Sequence, residues 1–464
     1  MRTERKDYLF VIVGLMQAVL FLLCVLLNDI KFCLVISLLQ FFLSGLIIFK
    51  LNGTIFSFGF IFLSLSYILH MGRLVVSQII GVEDGFSNQL SEQTIKDGIL
   101  FFILCHMFLL MGICFGMRKK HKYIIKNKII IDKVTYWRVT LVLLVIGIIP
   151  RIYIDVHQIR TQLYGDYLLT LKQQYGVLSI LAQFFYVGIL SFIYLCDDRK
   201  WMAKVAITVT TIWECITMLS GGRIYAVSLI VSMIYIYFNR IDRVCARSIV
   251  LGLVGIYVLS FLLSTIFVVR VNGSFNVKDI SDIAKKGIDK SNPIVSVMQE
   301  FGGTFMTLGL SIVNTKGHSF ACGRSYLSSL LSIVPAYEKY IANTDDLIFI
   351  RTFARSSYLG GSWLGEAYYN FSWFGSLFCC IIGWLLGRFE TIFISVKESD
   401  NYCGAIFVMS FVFYIVIYTR DYFYKFTTTI QVYLVVLFIA VFFQSIRNVS
   451  KRYVNEKLRI TQKR

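Results

Sequence analysis

Uninterrupted apolar runs recur from one end of this chain to the other, many of them reaching the roughly 18 to 20 residues that carry a helix across hydrocarbon. No other feature constrains the fold as tightly. In lipid every backbone N–H and C=O must be satisfied inside the spanning structure, which leaves helices or closed barrels. The runs are continuous rather than alternating, so the barrel is excluded. With 57% hydrophobic residues, 16% charged residues and a mean hydropathy of +0.70, the reading is an all-α polytopic membrane bundle.

Twelve spans are predicted, at residues 8–27, 32–49, 51–71, 98–117, 134–154, 173–196, 201–219, 224–237, 248–269, 367–387, 402–418 and 426–443. The first nine fill residues 1–269, a large outward loop with amphipathic or re-entrant helices fills 270–366, the last three fill 367–446, and a basic tail occupies 447–464. Basic residues near span ends set the orientation. With the N-terminus inside, the inward segments carry 26 Lys and Arg and the short outward segments 9. Both termini are therefore read as cytoplasmic, and the long loop faces outward. The span at 8–27 is followed by Asn28-Asp29 rather than by small residues, so no cleavable signal is read.

The formal charge of +19 then falls mostly on the inward side, beside anionic headgroups, and no nucleic-acid partner is expected. Eleven cysteines lie scattered, without a CxxC pair, so neither a disulfide framework nor a metal site is expected, and no cofactor. The three prolines, at 150, 293 and 335, are read as lying in or at the edges of outward segments, with none inside a span. Glu214 is the one clear acid within a span and His106 sits mid-span; they are read as a helix-to-helix hydrogen bond or a neutral buried acid, with a proton relay as the alternative.

Arginines gather at the outer ends instead, against the positive-inside tendency: Arg73, Arg151, Arg160, Arg223, Arg270, Arg324, Arg351, Arg355 and Arg420. A guanidinium fork matches phosphate and stays charged at any working pH, so this group suits a lipid-linked diphosphate at headgroup depth. The loop from 270 to 365 mixes ten Lys/Arg with seven Asp/Glu; its apolar stretch after Pro293 is read as a surface or re-entrant helix with Glu300 facing a cavity. Trp363, Tyr368, Tyr369, Phe371, Trp373 and Phe374 cluster at the loop's end beside Glu366, chiefly as an interfacial aromatic belt and alternatively as a platform for sugar rings.

Four stretches together carry a resemblance: SGGR at 220–223, QEFGGTFMTL at 299–308, CGRSYLSSLLSIVP at 322–335 and GGSWLGEAYYNFSWFG at 360–375. With twelve spans and a large outward loop late in the chain, they resemble the Wzy-type O-antigen and capsular polysaccharide polymerases. The resemblance implies a GT-C-like membrane glycosyltransferase of the bacterial cytoplasmic membrane. Such an enzyme moves a growing glycan from undecaprenyl diphosphate onto a new lipid-linked repeat unit. The partners it implies are that oligosaccharide, membrane lipids, and a chain-length regulator and flippase of the same pathway.

Carried over residue by residue, Arg223 is similar to the family's arginine after paired glycines, and Glu366 to its acid before an aromatic pair and Asn-Phe. Arg270 and Arg355 join Arg223 on position and chemistry as diphosphate ligands, and Glu366 or Glu300 serves the acceptor hydroxyl. Arg151, Arg160, Arg351, Arg420, Tyr326, Trp363, Tyr368, Tyr369 and Asn370 complete the expected substrate-binding set. An O-antigen ligase, with His318 or His157 as its outward histidine, and a lipid-linked oligosaccharide flippase are the alternatives.

Overall fold

The computed structural model describes residues 2–54, 56–81, 85, 86, 88–117, 129–164, 175–218, 223–242, 301–315, 320–334, 360–399 and 401–462, with 252, 255, 257, 295, 298 and 299. In chain order the helices are α1 (Arg2–Leu27), α2 (Ile30–Asn52), α3 (Phe58–Ile80), α4 (Glu92–Met117), α5 (Lys133–Tyr164), α6 (Val177–Leu195) and α7 (Lys200–Thr217). They continue with α8 (Arg223–Ile236), α9 (Thr304–Thr315), α10 (Arg324–Leu331), α11 (Trp363–Phe371), α12 (Gly375–Lys397), α13 (Cys403–Tyr418) and α14 (Tyr424–Gln462). No strand occurs among the described residues.

Among the described residues, eight segments are long and apolar enough to cross a membrane: Ile30–Asn52, Phe58–Gln78, Glu92–Met117, Lys133–Gln162, Val177–Asp198, Arg223–Ile241, Trp363–Lys397 and Tyr424–Tyr453. Gly14–Leu27 and Cys403–Tyr418 are shorter apolar helices. Helix α7 matches the expected span at 201–219 but carries Lys200, Lys204 and Glu214, and the expected span at 248–269 lies outside the described residues. The chain is an integral membrane protein whose described residues fold as helices and their connections.

Among the boundaries that differ from the sequence reading, three have a plain local account. The span expected at 51–71 begins later, because Gly53 at φ 74 closes α2 with its N–H on the Phe49 carbonyl, and Ser57 caps α3 by accepting from Phe60 N. Helix α5 does not stop at 154 but runs through Pro150 to Tyr164, so one proline does lie inside a span. A proline deletes one backbone hydrogen bond; packing along α6 and the Arg151–Asp155 pair one turn later carry the helix past it. Helix α14 continues through the basic segment to Gln462 rather than ending near 443.

By contact the chain forms two compact units. One comprises residues 1–120, 244–391 and 415–427. Its tightest seam joins α4 to α12 through two small-xxx-small pairs, Gly112 with Gly116 and Gly383 with Gly387. A Cβ at Gly112 would stand 2.0 Å from the Cys380 carbonyl oxygen and one at Gly383 2.1 Å from that of Leu109, so only hydrogen fits and the backbones touch. At the start of α3 a buried carboxylate does the capping. Glu390 accepts from Phe58 N at 2.7 Å and from Asn52 Nδ2 at 3.1 Å, where the helix's own N–H groups favour negative charge.

The other unit comprises residues 121–243, 392–414 and 428–464. Helices α5 and α6 run against each other, with Gly147 admitting the backbone of Phe185. Charges gather at two levels along α5. At its start Lys133 meets Asp197 at 3.1 Å and Asp198 at 2.8 Å, Arg240 meets Asp197 at 2.8 Å, and Arg447 pairs with Asp132. At the second level Arg151 bonds Asp155 at 2.9 Å, meets Glu214 at 3.5 Å and contacts the Tyr186 hydroxyl, while Trp213 Nε1 donates to Asp155 at 2.9 Å. Lys133 and Arg151 are 18 positions apart, about 27 Å along a helix, close to the thickness of the hydrocarbon core. Glu214 is thus ion-paired, not merely hydrogen-bonded as its sequence context suggests.

Candidate functional site

A set of buried polar groups in the first unit is built on the segment GGSWLGEAYYNF, residues 360–371. Its two glycines admit close approach: a Cβ at Gly361 would lie 3.0 Å from Asp421 Cα. Ser362 is extended at φ −149 and caps α11 by accepting from Gly365 N at 3.0 Å. Helical spacing then puts Trp363, Glu366, Ala367 and Asn370 on one face, and all four are fully buried.

Glu366 is held from two sides. Ser325 Oγ, from α10, donates to Oε1 at 2.7 Å, and Phe423 N, in the turn before α14, donates to Oε2 at 2.7 Å. Asn370 Nδ2 donates to Ser325 Oγ at 2.7 Å and to the Glu366 carbonyl at 2.8 Å, so Asn370, Ser325 and Glu366 form one directed chain. Backbone bonds from Ala321 N to Tyr369 O and from Cys322 N to Asn370 O fasten the entry to α10 onto the end of α11. A carboxyl this deep is tolerable only with such donors. It keeps unused lone pairs, since a carboxylate accepts about four hydrogen bonds.

Aromatic rings wall the centre. The Phe423 ring stands 5.3 Å from Tyr326 and 6.4 Å from Tyr418; Phe378 lies 4.4 Å from Tyr326, and Phe426 4.7 Å from Tyr418. Burial, and behind it the Glu366 carboxyl and the Tyr418 phenol, push the Tyr326 phenol well above its ordinary range. The Tyr326 and Tyr418 hydroxyls and Asn370 Oδ1 are buried and have no hydrogen-bond partner among the described residues. Each such group costs about 1–3 kcal/mol when left unpaired.

Behind α11 lies a second polar chain. His70 Nδ1 is 2.9 Å from the Ser66 carbonyl oxygen and Nε2 is 2.9 Å from Ser362 Oγ. A carbonyl only accepts, so Nδ1 carries the proton and Nε2 accepts from the Ser362 hydroxyl. That leaves the serine's lone pairs to cap α11. Trp363 Nε1 donates to Ser66 Oγ at 3.3 Å and His106 lies 3.5 Å from the same oxygen.

Of the residues expected at the site, Glu366, Asn370, Tyr326, Trp363 and Tyr368 converge in this unit and are buried, with Tyr369 beside them partly exposed. The belt reading therefore fails for Trp363, which lies on the buried face of α11, and for Tyr368, which packs against Phe101 of α4 at 5.0 Å; Trp373 and Phe374 are exposed. Arg420 lies in the same unit, 6.0 Å from the Phe301 ring and against Gly360. Arg223, Arg151 and Arg160 belong to the other unit. Arg223 opens α8 and is buried, Arg160 is exposed, and Arg151 is engaged by carboxylates. Arg270, Glu300, Arg351 and Arg355 lie outside the described residues, as does His318.

Ser325, Tyr418, His70 and Ser362 were not singled out by sequence. Ser325 and Ser362 do lie inside the quoted stretches, and serine is a favoured residue at a helix start, but Gly365 stands where a capping box would carry its acid. His70 and Tyr418 carry no such mark. No curated protein and no solved structure matches the chain. Residues 8–452, nearly its whole length, match the model of the family described as O-antigen polysaccharide polymerase Wzy, and the chain belongs to that family.

Proposed function

We propose that the chain polymerises oligosaccharide repeat units linked to undecaprenyl diphosphate, at the outer face of the bacterial cytoplasmic membrane, and that the Glu366 centre receives the acceptor sugar. Family membership supports a polymerase role. The observation that carries the site is the fully buried Glu366 carboxyl, gripped by the Ser325 hydroxyl and the Phe423 N–H with lone pairs to spare.

The acceptor hydroxyl oxygen attacks the anomeric carbon of the donor glycan, and its proton passes to Glu366. The new glycosidic C–O bond forms as the bond from that carbon to the diphosphate oxygen breaks, and the electron pair leaves with the diphosphate. The departing charge calls for guanidinium groups, and the candidates read from the sequence are Arg223, Arg270 and Arg355. No metal or nucleotide sugar enters this scheme.

The test is a gel of surface glycan from a deletion strain supplied with wild type, Arg223→Ala or Glu366→Gln at matched membrane levels. Gln keeps the shape and one acceptor of Glu366 but cannot take a proton, so turnover should fall by about 10²-fold or more, leaving single repeat units in place of the ladder. Loss of even the single-repeat band on deletion would favour a ligase or a flippase. A full ladder from both variants would remove the assigned site.

A further inference from the structure

Three buried polar atoms around Glu366 end without a partner among the described residues: the hydroxyls of Tyr326 and Tyr418 and the side-chain oxygen of Asn370. Their residues are at most 7% exposed. They come from three separate places in the sequence, yet all lie about one carboxyl: Asn370 is one turn from Glu366 on α11, and both phenol rings pack against Phe423, whose N–H holds the carboxyl. Buried polar groups in folded proteins nearly always have partners, and an exception calls for a functional explanation or an absent partner. Three exceptions gathered at one carboxyl point to a ligand.

The chemistry of the set limits what that ligand is. Two phenols can each give and take a hydrogen bond, while Asn370 Oδ1 and Glu366 take them. No cation contacts the carboxyl among the described residues, and the acid at the neighbouring turn, Asp421, is itself paired with Lys425 at 3.9 Å. A diphosphate or an acidic sugar would meet repulsion there. Phe423, Phe378 and Phe426 supply apolar faces between and beside the phenols. Hydroxyl-bearing rings with apolar faces and no charge match both features.

Resting on the reading of Glu366 as the acceptor centre, we infer that Tyr326, Tyr418 and Asn370 form the subsite that reads the hydroxyl pattern of a neutral acceptor sugar, and so set which repeat unit is extended.

The test uses the full-length protein reconstituted with lipid-linked repeat units purified from the deletion strain, comparing wild type, Tyr418→Phe, Tyr326→Phe and Glu366→Gln. Rates at varied substrate concentration give kcat and KM, and thermal unfolding in detergent gives Tm. A hydroxyl waiting for a ligand contributes nothing to the empty fold, so each Tyr→Phe variant should keep or raise Tm while KM rises about 3- to 10-fold, the worth of one neutral hydrogen bond. A lowered Tm with unchanged KM would mean that an ordered water or a structural partner holds the hydroxyls, and would overturn the inference. So would wild-type Tm and KM in both variants. If Glu366→Gln turns over normally, the acceptor centre itself is misplaced. If Glu366→Gln is inactive while both Tyr→Phe variants keep the wild-type KM, the subsite alone is wrong.

Discussion

Glu366 and His70 show how differently two residues of one centre can be read. Glu366 stands in a dense, motif-like stretch, where an acid among glycines and aromatics already points to chemistry. His70 sits in an unremarked apolar run, and its role depends on Ser362, 292 positions away. Its proton is fixed on Nδ1 by a carbonyl, so what it offers Ser362 is an acceptor. His70→Gln can still present an acceptor at that distance, whereas His70→Phe fills the space without one. The Phe variant should loosen the cap of α11 and lower polymerisation about 10- to 100-fold, as small misplacements of reacting groups do, with KM little changed. The Gln variant should restore most of the rate. Equal loss in both, measured as initial rate on lipid-linked repeat units, would reduce His70 to packing.

At the scale of elements, the α4–α12 seam is the feature on which the first unit most visibly depends. Its four glycines are spaced by four in both helices, a pattern written plainly in the sequence, but the partner of each pair is not. Membrane helices gain nothing from burying apolar surface against each other, since lipid is equally apolar; close backbone packing takes that place. Gly383→Leu would drive a side chain into the Leu109 carbonyl, 2.1 Å from where its Cβ must sit. Backbone cannot yield as a side-chain tip does, so a loss of about 3 kcal/mol or more is expected, read as a lowered midpoint in detergent or as failure to accumulate. Gly14→Ala, with nothing within 4 Å of the new Cβ, should be neutral and serves as the control. Pro150 teaches the converse: a residue that ends helices in isolation sits inside α5, because long-range packing outweighs one missing hydrogen bond.

For the whole molecule, the balance of basic residues predicts a cytoplasmic C-terminus. A fluorescent protein fused after Arg464 should therefore fluoresce and an alkaline phosphatase fused there stay inactive; the opposite pair of results would invert the orientation and put the Glu366 centre on the wrong face for an outward polymerase. The sequence by itself determined that the chain is a polytopic helical membrane protein. Those properties are sums over neighbouring residues, fixed by the transfer free energy of each side chain and by the need to satisfy backbone groups locally. Only the tertiary structure decided which polar groups meet. Ser325 and Phe423 find Glu366 from 41 and 57 positions away, and Arg151 finds Glu214 across α5 and α7. Nothing in the local sequence fixes such pairings, because each is selected by how whole helices pack, and a buried charge then accepts whichever donor the packing delivers.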